Sequence, residues 1–153
     1  MENISGIIKI EYALLDHIAS LRINLSTSKV EALTFLPPTG EIEYGFSPFY
    51  FTPQTAELQI VPKLSDAGAV YTCTLRSRTP KDRPESTAFI SASQAQWFLL
   101  RVTDANGIVR LIGTIDFPAQ FAARISIPAS PSGYNGYDTT FTSQQLTPPA
   151  YFP

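Results

Sequence analysis

The chain has 153 residues, a net charge of −2 and a charged fraction of only 16%, so it carries no basic excess to recruit a nucleic acid or an anionic membrane. Its 13 prolines exclude long helices, its single cysteine excludes an internal disulfide, and its length suits one domain with a real core. Low charge with abundant Thr, Ser, Tyr and Phe fits a β-protein whose surface is partly covered by neighbours.

In chain order, the first residues lack a basic segment, so no signal peptide is expected, and no apolar run approaches a membrane span of roughly 20 residues. The alternation IKIEY within 7–18 reads as a strand, and LLDHIASL at 14–21 reads either as its continuation or as a short helical turn. Strand-forming residues at 22–25 and 30–36 flank a Ser-Thr-Ser break, and Pro37-Pro38-Thr39-Gly40 is a turn. EIEYGF at 41–46 alternates with Ile42, Tyr44 and Phe46 on one side, before an aromatic, proline-bounded stretch at 47–53. Residues 55–61 form a strand with Ala56, Leu58 and Ile60 on one face, 62–68 connect, and 70–79 return with Tyr71, Cys73 and Leu75 aligned. A charged loop follows at 80–84. Segment 85–95 is divided, since Thr, Phe and Ile argue for a strand while Ala and Gln at 92–95 allow a helical turn.

The stretch QWFLLRVTDANGIVRLIGT at 96–114 is the strongest hairpin signal, because Asn106 and Gly107 tolerate the positive φ of a tight turn. A two-residue turn pairs Val102 with Leu111, and a four-residue loop pairs Val102 with Val109. Either register places Phe98, Leu100 and Val102 with Val109, Leu111 and Gly113 on a wholly apolar face, opposite a mixed and partly wet one. A turn at 116–118, a strand at 120–127, a loop at 129–136, a last strand at 137–142 and an extended proline-rich tail at 144–153 complete the chain. The sum is an all-β fold of about nine to ten strands, an antiparallel β-sandwich or barrel-like domain. It divides into one domain over 1–143 and a C-terminal arm over 144–153.

Chemistry is sparse. His17 is the only histidine, and Asp16 beside it points to the opposite face of a strand. No Gly-x-Ser-x-Gly elbow or Gly-x-x-x-x-Gly-Lys phosphate loop occurs. One Cys and one His cannot complete a zinc site, and Asp104-x-Asn106-Gly107 lacks the downstream acid of a calcium loop. The 13 acidic residues are scattered and read as solvated. No catalytic, cofactor-binding or metal-binding residue is therefore expected, and Cys73 reads as a small side chain packed in a strand. Two features remain for contacts. Arg76, Arg78, Lys81 and Arg83 form a basic cluster that suits a solvated sheet edge or a salt-bridged subunit contact. Of the aromatics, Tyr44, Phe46, Phe49, Tyr50 and Phe51 suit core packing. Tyr134, Tyr137, Phe141, Tyr151 and Phe152 suit packing against a neighbour, because the tail is short and pre-extended.

Three passages, SDAGAVYTCTLRSRTPKDRPE, FLLRVTDANGIVRLIGTIDFPAQFAARI and GYNGYDTTFTSQQLTPPAYF, together resemble small structural proteins of tailed-phage and prophage morphogenesis clusters. The resemblance covers residues 65–152, while the stretch at 47–53 departs from it. It implies a non-enzymatic virion component of the tail, neck or head-to-tail region, assembled from copies of itself with other virion proteins as partners. No cofactor, membrane or specific nucleic acid is expected. On this reading the subunit contacts are Tyr134, Tyr137, Tyr151 and Phe152, rimmed by Arg76, Arg78 and Arg83. Removing 144–153 should then leave a folded domain that no longer assembles. The alternative is a carbohydrate-binding module in a head-decoration or receptor-binding role, with aromatics on an exposed face. A small hydrolase with dispersed carboxylates ranks below both.

Overall fold

The computed structural model describes residues 6–80, 84–126 and 136–152. It is about 60% strand and 7% helix, an all-β fold as the alternating pattern requires. The elements are β1 (Ile7–Leu14), a 3-10 turn (Leu15–His17), β2 (Ile18–Asn24), β3 (Lys29–Phe35), β4 (Ser47–Pro48), β5 (Glu57–Ser65) and β6 (Gly68–Pro80). They continue as α1 (Pro84–Ser93), β7 (Trp97–Asp104), β8 (Val109–Ile112), β9 (Ala119–Ser126), β10 (Gly136–Gln145) and β11 (Ala150–Tyr151). The 11 strands form one mostly antiparallel, sandwich-like sheet that does not close into a barrel. Its order is β2-β3-β11-β8-β7-β9-β10-β6-β5, with β1 on β7 and β4 on β1.

β7 organises the sheet. β1 runs along one edge of it, and β8 followed by β9 runs along the other. Ile112 stands opposite Leu100, but Ala119 stands opposite Phe98, where an unbroken register would bring Thr114. The chain therefore makes a five-residue excursion between two pieces of one partner strand. Gly113 begins it at φ +90°, where a Cβ would come within 3.2 Å of the Ala119 nitrogen and 3.3 Å of the Phe98 oxygen.

The β7–β8 turn takes neither register expected from the sequence. The Asp104 N–H donates to the Ile108 carbonyl at 3.1 Å, the Gly107 N–H donates to the Asp104 carbonyl at 3.1 Å, and Gly107 has φ +82°. This is a three-residue loop in which one glycine takes the left-handed position. The Asp104 carboxylate holds it by accepting the Asn106 and Ile108 N–H groups at 2.9 and 3.0 Å. Val102 consequently pairs with Arg110, and a shift of one residue turns every β8 side chain over. Ile112 joins Phe98, Leu100 and Val102, whereas Leu111 joins Leu99 on the other face. Leu99 and Leu100 are both 0% exposed, so the middle of β7 is buried on both faces, while the expected mixed face stays partly wet at Trp97, Arg101, Thr103 and Ile108.

The larger core lies on one face of β7–β8. It gathers Ile10, Phe49, Cys73, Leu75, Phe98, Leu100, Ile112, Phe121 and Phe141. Its rings meet edge-on or tilted, with Phe121 and Phe141 centroids 4.9 Å apart and Phe98 and Phe141 5.7 Å apart, arrangements that suit the ring quadrupole. The smaller cluster on the opposite face of β7–β8 holds Val30, Leu99, Leu111 and Ala150, with Phe46 and Phe152 against it.

Segment 85–95 resolves as helix up to Ser93, followed by a turn at 94–95. Pro84 stands at the first helical position, where a missing N–H costs nothing, and Phe89 and Ile90 pack onto the larger core. Residues 14–21 combine both readings, a 3-10 turn and then β2. The tail is the main correction. Residues 144 and 145 belong to β10, and β11 inserts between β3 and β8 of its own chain. Its anchors are the Tyr151 N–H to the Ser28 carbonyl at 2.7 Å and the Phe152 N–H to the Val109 carbonyl at 2.9 Å. A short segment suffices because it fills a gap in an existing sheet and needs no core of its own.

Candidate functional site

The residues expected to make subunit contacts do not form one patch. Tyr137 is 1% exposed, a core side chain of β10 and not a surface contact. Its place on the buried side follows from alternation with Thr139 and Phe141. Phe152 is half-buried beside Phe46, and the two rings flank the Arg101 guanidinium at 5.6 and 4.4 Å. Arg101 in turn grips Glu11 through two hydrogen bonds, Nε to Oε1 at 2.9 Å and a second nitrogen to Oε2 at 2.7 Å. That contact holds the Glu11 carboxyl below its usual range, against the opposing effect of burial. Tyr151 is partly exposed, with the Arg110 guanidinium 5.5 Å from its ring. The C-terminal rings are thus engaged within the chain. Tyr134, Lys81 and Arg83 lie outside the described residues.

Arg76 and Arg78 sit on the outer face of β6, which is an interior strand between β5 and β10 and not the expected edge. Pairing aligns Arg78 with Asp138 and Arg124, and Arg76 with Thr140 and Glu57. Asp138 meets Arg78 at 3.4 Å and Arg124 at 3.9 Å. Exposed ion pairs of this kind add little stability, but they give the face a mixed, polar character.

The edge belongs to β5. Opposite-face pairs along the β5–β6 hairpin are Leu58 with Leu75, Ile60 with Cys73, Pro62 with Tyr71 and Leu64 with Ala69. Leu75 and Cys73 lie in the core, while the last two rows run past it. Leu64 is 85% exposed and Val61, on the other side of β5, is 54% exposed. The inner, core-facing surface of the sheet therefore continues uncovered beyond the domain. Pro62, which has no N–H, and Lys63 blunt this edge against open-ended strand pairing, which leaves the apolar face as the sticky feature. The sequence placed a connection at 62–68, so Leu64 went unnoticed; the full strand extends to a tight turn at Asp66-Ala67.

A cavity of about 270 Å³ lies under α1, lined by Tyr12, Phe49, Phe89, Ile90 and Phe121 among others. His17 stacks near Tyr44 at 4.6 Å between centroids. Burial pushes the Cys73 thiol up to about 11, so it is an unreactive packed side chain. No group of three or more metal-ligating side chains occurs among the described residues. What the geometry defines is a β-sandwich-like domain with an exposed hairpin and a polar outer face. Neither a family model, nor a curated protein, nor a solved structure matches the chain.

Proposed function

We propose that the protein is a non-enzymatic structural component of a tailed-phage particle, in the tail, neck or head-to-tail region, that assembles with copies of itself. The uncovered β5–β6 hairpin supports this reading most strongly. An apolar surface bearing Ile60, Leu64 and Tyr71 that continues a sandwich interior is costly to leave in water. A second copy offers it the same kind of β surface, and repetition around an axis closes a ring. The resemblance of 65–152 to phage morphogenesis proteins supports the same reading, in which the assembled protein belongs to the virion. The gripping element is the hairpin, with Arg76 and Arg78 beside it, and no longer the C-terminal tail.

Sedimentation and negative-stain microscopy of the purified chain should show oligomers of fixed copy number. Leu64→Asp should convert them to monomers with an unchanged circular dichroism spectrum. A wild-type chain that stays monomeric at high concentration would defeat the reading. Portal, terminase or tape-measure genes beside its own would strengthen the phage assignment.

A further inference from the structure

We infer that the sheet face centred on Trp97 is a binding site for a neutral oligosaccharide. The site lies away from the β5–β6 tip and is independent of self-assembly.

One row of side chains crosses the sheet. Trp97 pairs with Gln120, Gln120 with Thr142, Thr142 with Thr74, and Thr74 with Gln59. Trp97 is 45% exposed, the one tryptophan of the chain and a large ring to leave in water. Two hollows, of about 330 and 400 Å³, adjoin it, and Trp97, Gln120 and Thr142 line both. The first adds Gln94 and Gln96, and the second adds Asp116, Phe117 and Gln144. Trp97, Gln120 and Thr142 thus link the two hollows, and this extended lining suits several linked rings better than a single small molecule.

The rim is held in place. Asp116 and Phe117 lie on the excursion between β8 and β9. The Gly113 N–H donates to the buried Gln145 Oε1 at 3.0 Å, and Gln145 Nε2 donates to the Thr147 carbonyl at 2.9 Å. Ser143 Oγ donates to the Phe117 carbonyl at 3.0 Å, and the Phe117 N–H donates to Thr114 Oγ1 at 3.0 Å. Such fixing lowers the ordering cost of binding. By contrast, no protein partner among the described residues takes the side-chain amides of Gln94, Gln96, Gln120 and Gln144.

The lining selects the ligand class. Aromatic rings present a negative face to the C–H groups of a sugar ring. Each glutamine amide offers two donors and an acceptor, which matches adjacent hydroxyls. Neither hollow is lined by Lys or Arg, and Asp116 supplies the only charge, so a phosphate polymer is disfavoured.

Because Trp97 is the sole tryptophan, its fluorescence reports on this site directly. The probes are soluble hexasaccharides of β1,4-glucose, α1,4-glucose and β1,4-N-acetylglucosamine. At least one should give a saturable change in emission and a matching heat in calorimetry. Trp97→Ala should abolish the heat, Trp97→Phe should retain part of it, and Gln120→Ala or Gln144→Ala should weaken binding at least tenfold. Leu64→Asp should leave affinity unchanged while altering assembly, which separates this inference from the previous one. No saturable response to any of the probes, binding that survives Trp97→Ala, or a response to poly-uridine RNA in their place would overturn it.

Discussion

Arg101 shows how much one side chain can join. It links β7 to β1 through Glu11, and the two rings against it come from the segment before β4 and from the residue after β11. Glu11 is 8% exposed, so removing its charge leaves a guanidinium partly desolvated without its partner. Glu11→Gln should therefore cost about 2 kcal/mol near neutral pH, measured by urea unfolding. The pH dependence has a definite sign. The folded carboxyl titrates below its ordinary value of 4.5, so the unfolded chain takes up the proton first. The stabilisation is complete above that value and is lost as pH falls through the lowered folded one. Asp104 behaves alike. Desolvation raises its pKa, but the Arg110 side chain and the Ile108 and Asn106 amides together outweigh that and lower it. The gap between wild type and Glu11→Gln should thus narrow in acid. A constant gap from neutral pH down to pH 3 would contradict the assignment. None of this pairing was legible in the sequence, where Glu11 and Arg101 lie 90 residues apart.

At the scale of elements, alternation identified most strands, because a half-buried strand writes its pattern locally. It failed where the pattern came from tertiary surroundings. β7 buries Leu99 on one face and Phe98, Leu100 and Val102 on the other, and its turn register was decided by the Asp104 carboxylate and the Gly107 backbone, so both expected pairings missed by one residue. Among the described side chains of α1, Phe89 and Ile90 are the apolar residues packed inward, and two adjacent residues do not declare a helical period. β11 is two residues long and draws its stability from β3 and β8. Its removal should therefore weaken the fold itself, where the sequence alone led one to expect a domain that stays folded without it. A chain ending after Gln145 uncovers the cluster of Val30, Leu99 and Leu111 and strips Arg101 of one ring. Its thermal midpoint should fall by roughly 5–15 degrees, which corresponds to on the order of 2–4 kcal/mol. An unchanged midpoint would show that β11 is dispensable to the fold.

For the whole molecule, the balance between closed and open surface carries the functional reading. The tail completes the sheet within the chain, while the β5–β6 hairpin leaves its apolar face open. If copies cover that face, the melting temperature should rise with protein concentration, since association stabilises the folded state by mass action. Leu64→Asp should remove that dependence, as differential scanning calorimetry over a hundredfold range would reveal. The sequence by itself determined the all-β class, the strand-rich C-terminal half and the buried cysteine, because side-chain alternation and turn residues act over a few positions. Only the tertiary structure decided the hairpin register, the docking of the tail, the burial of Tyr137 and the exposure of Leu64 and Trp97. Each of these depends on which distant strand lies alongside, and no local pattern records that.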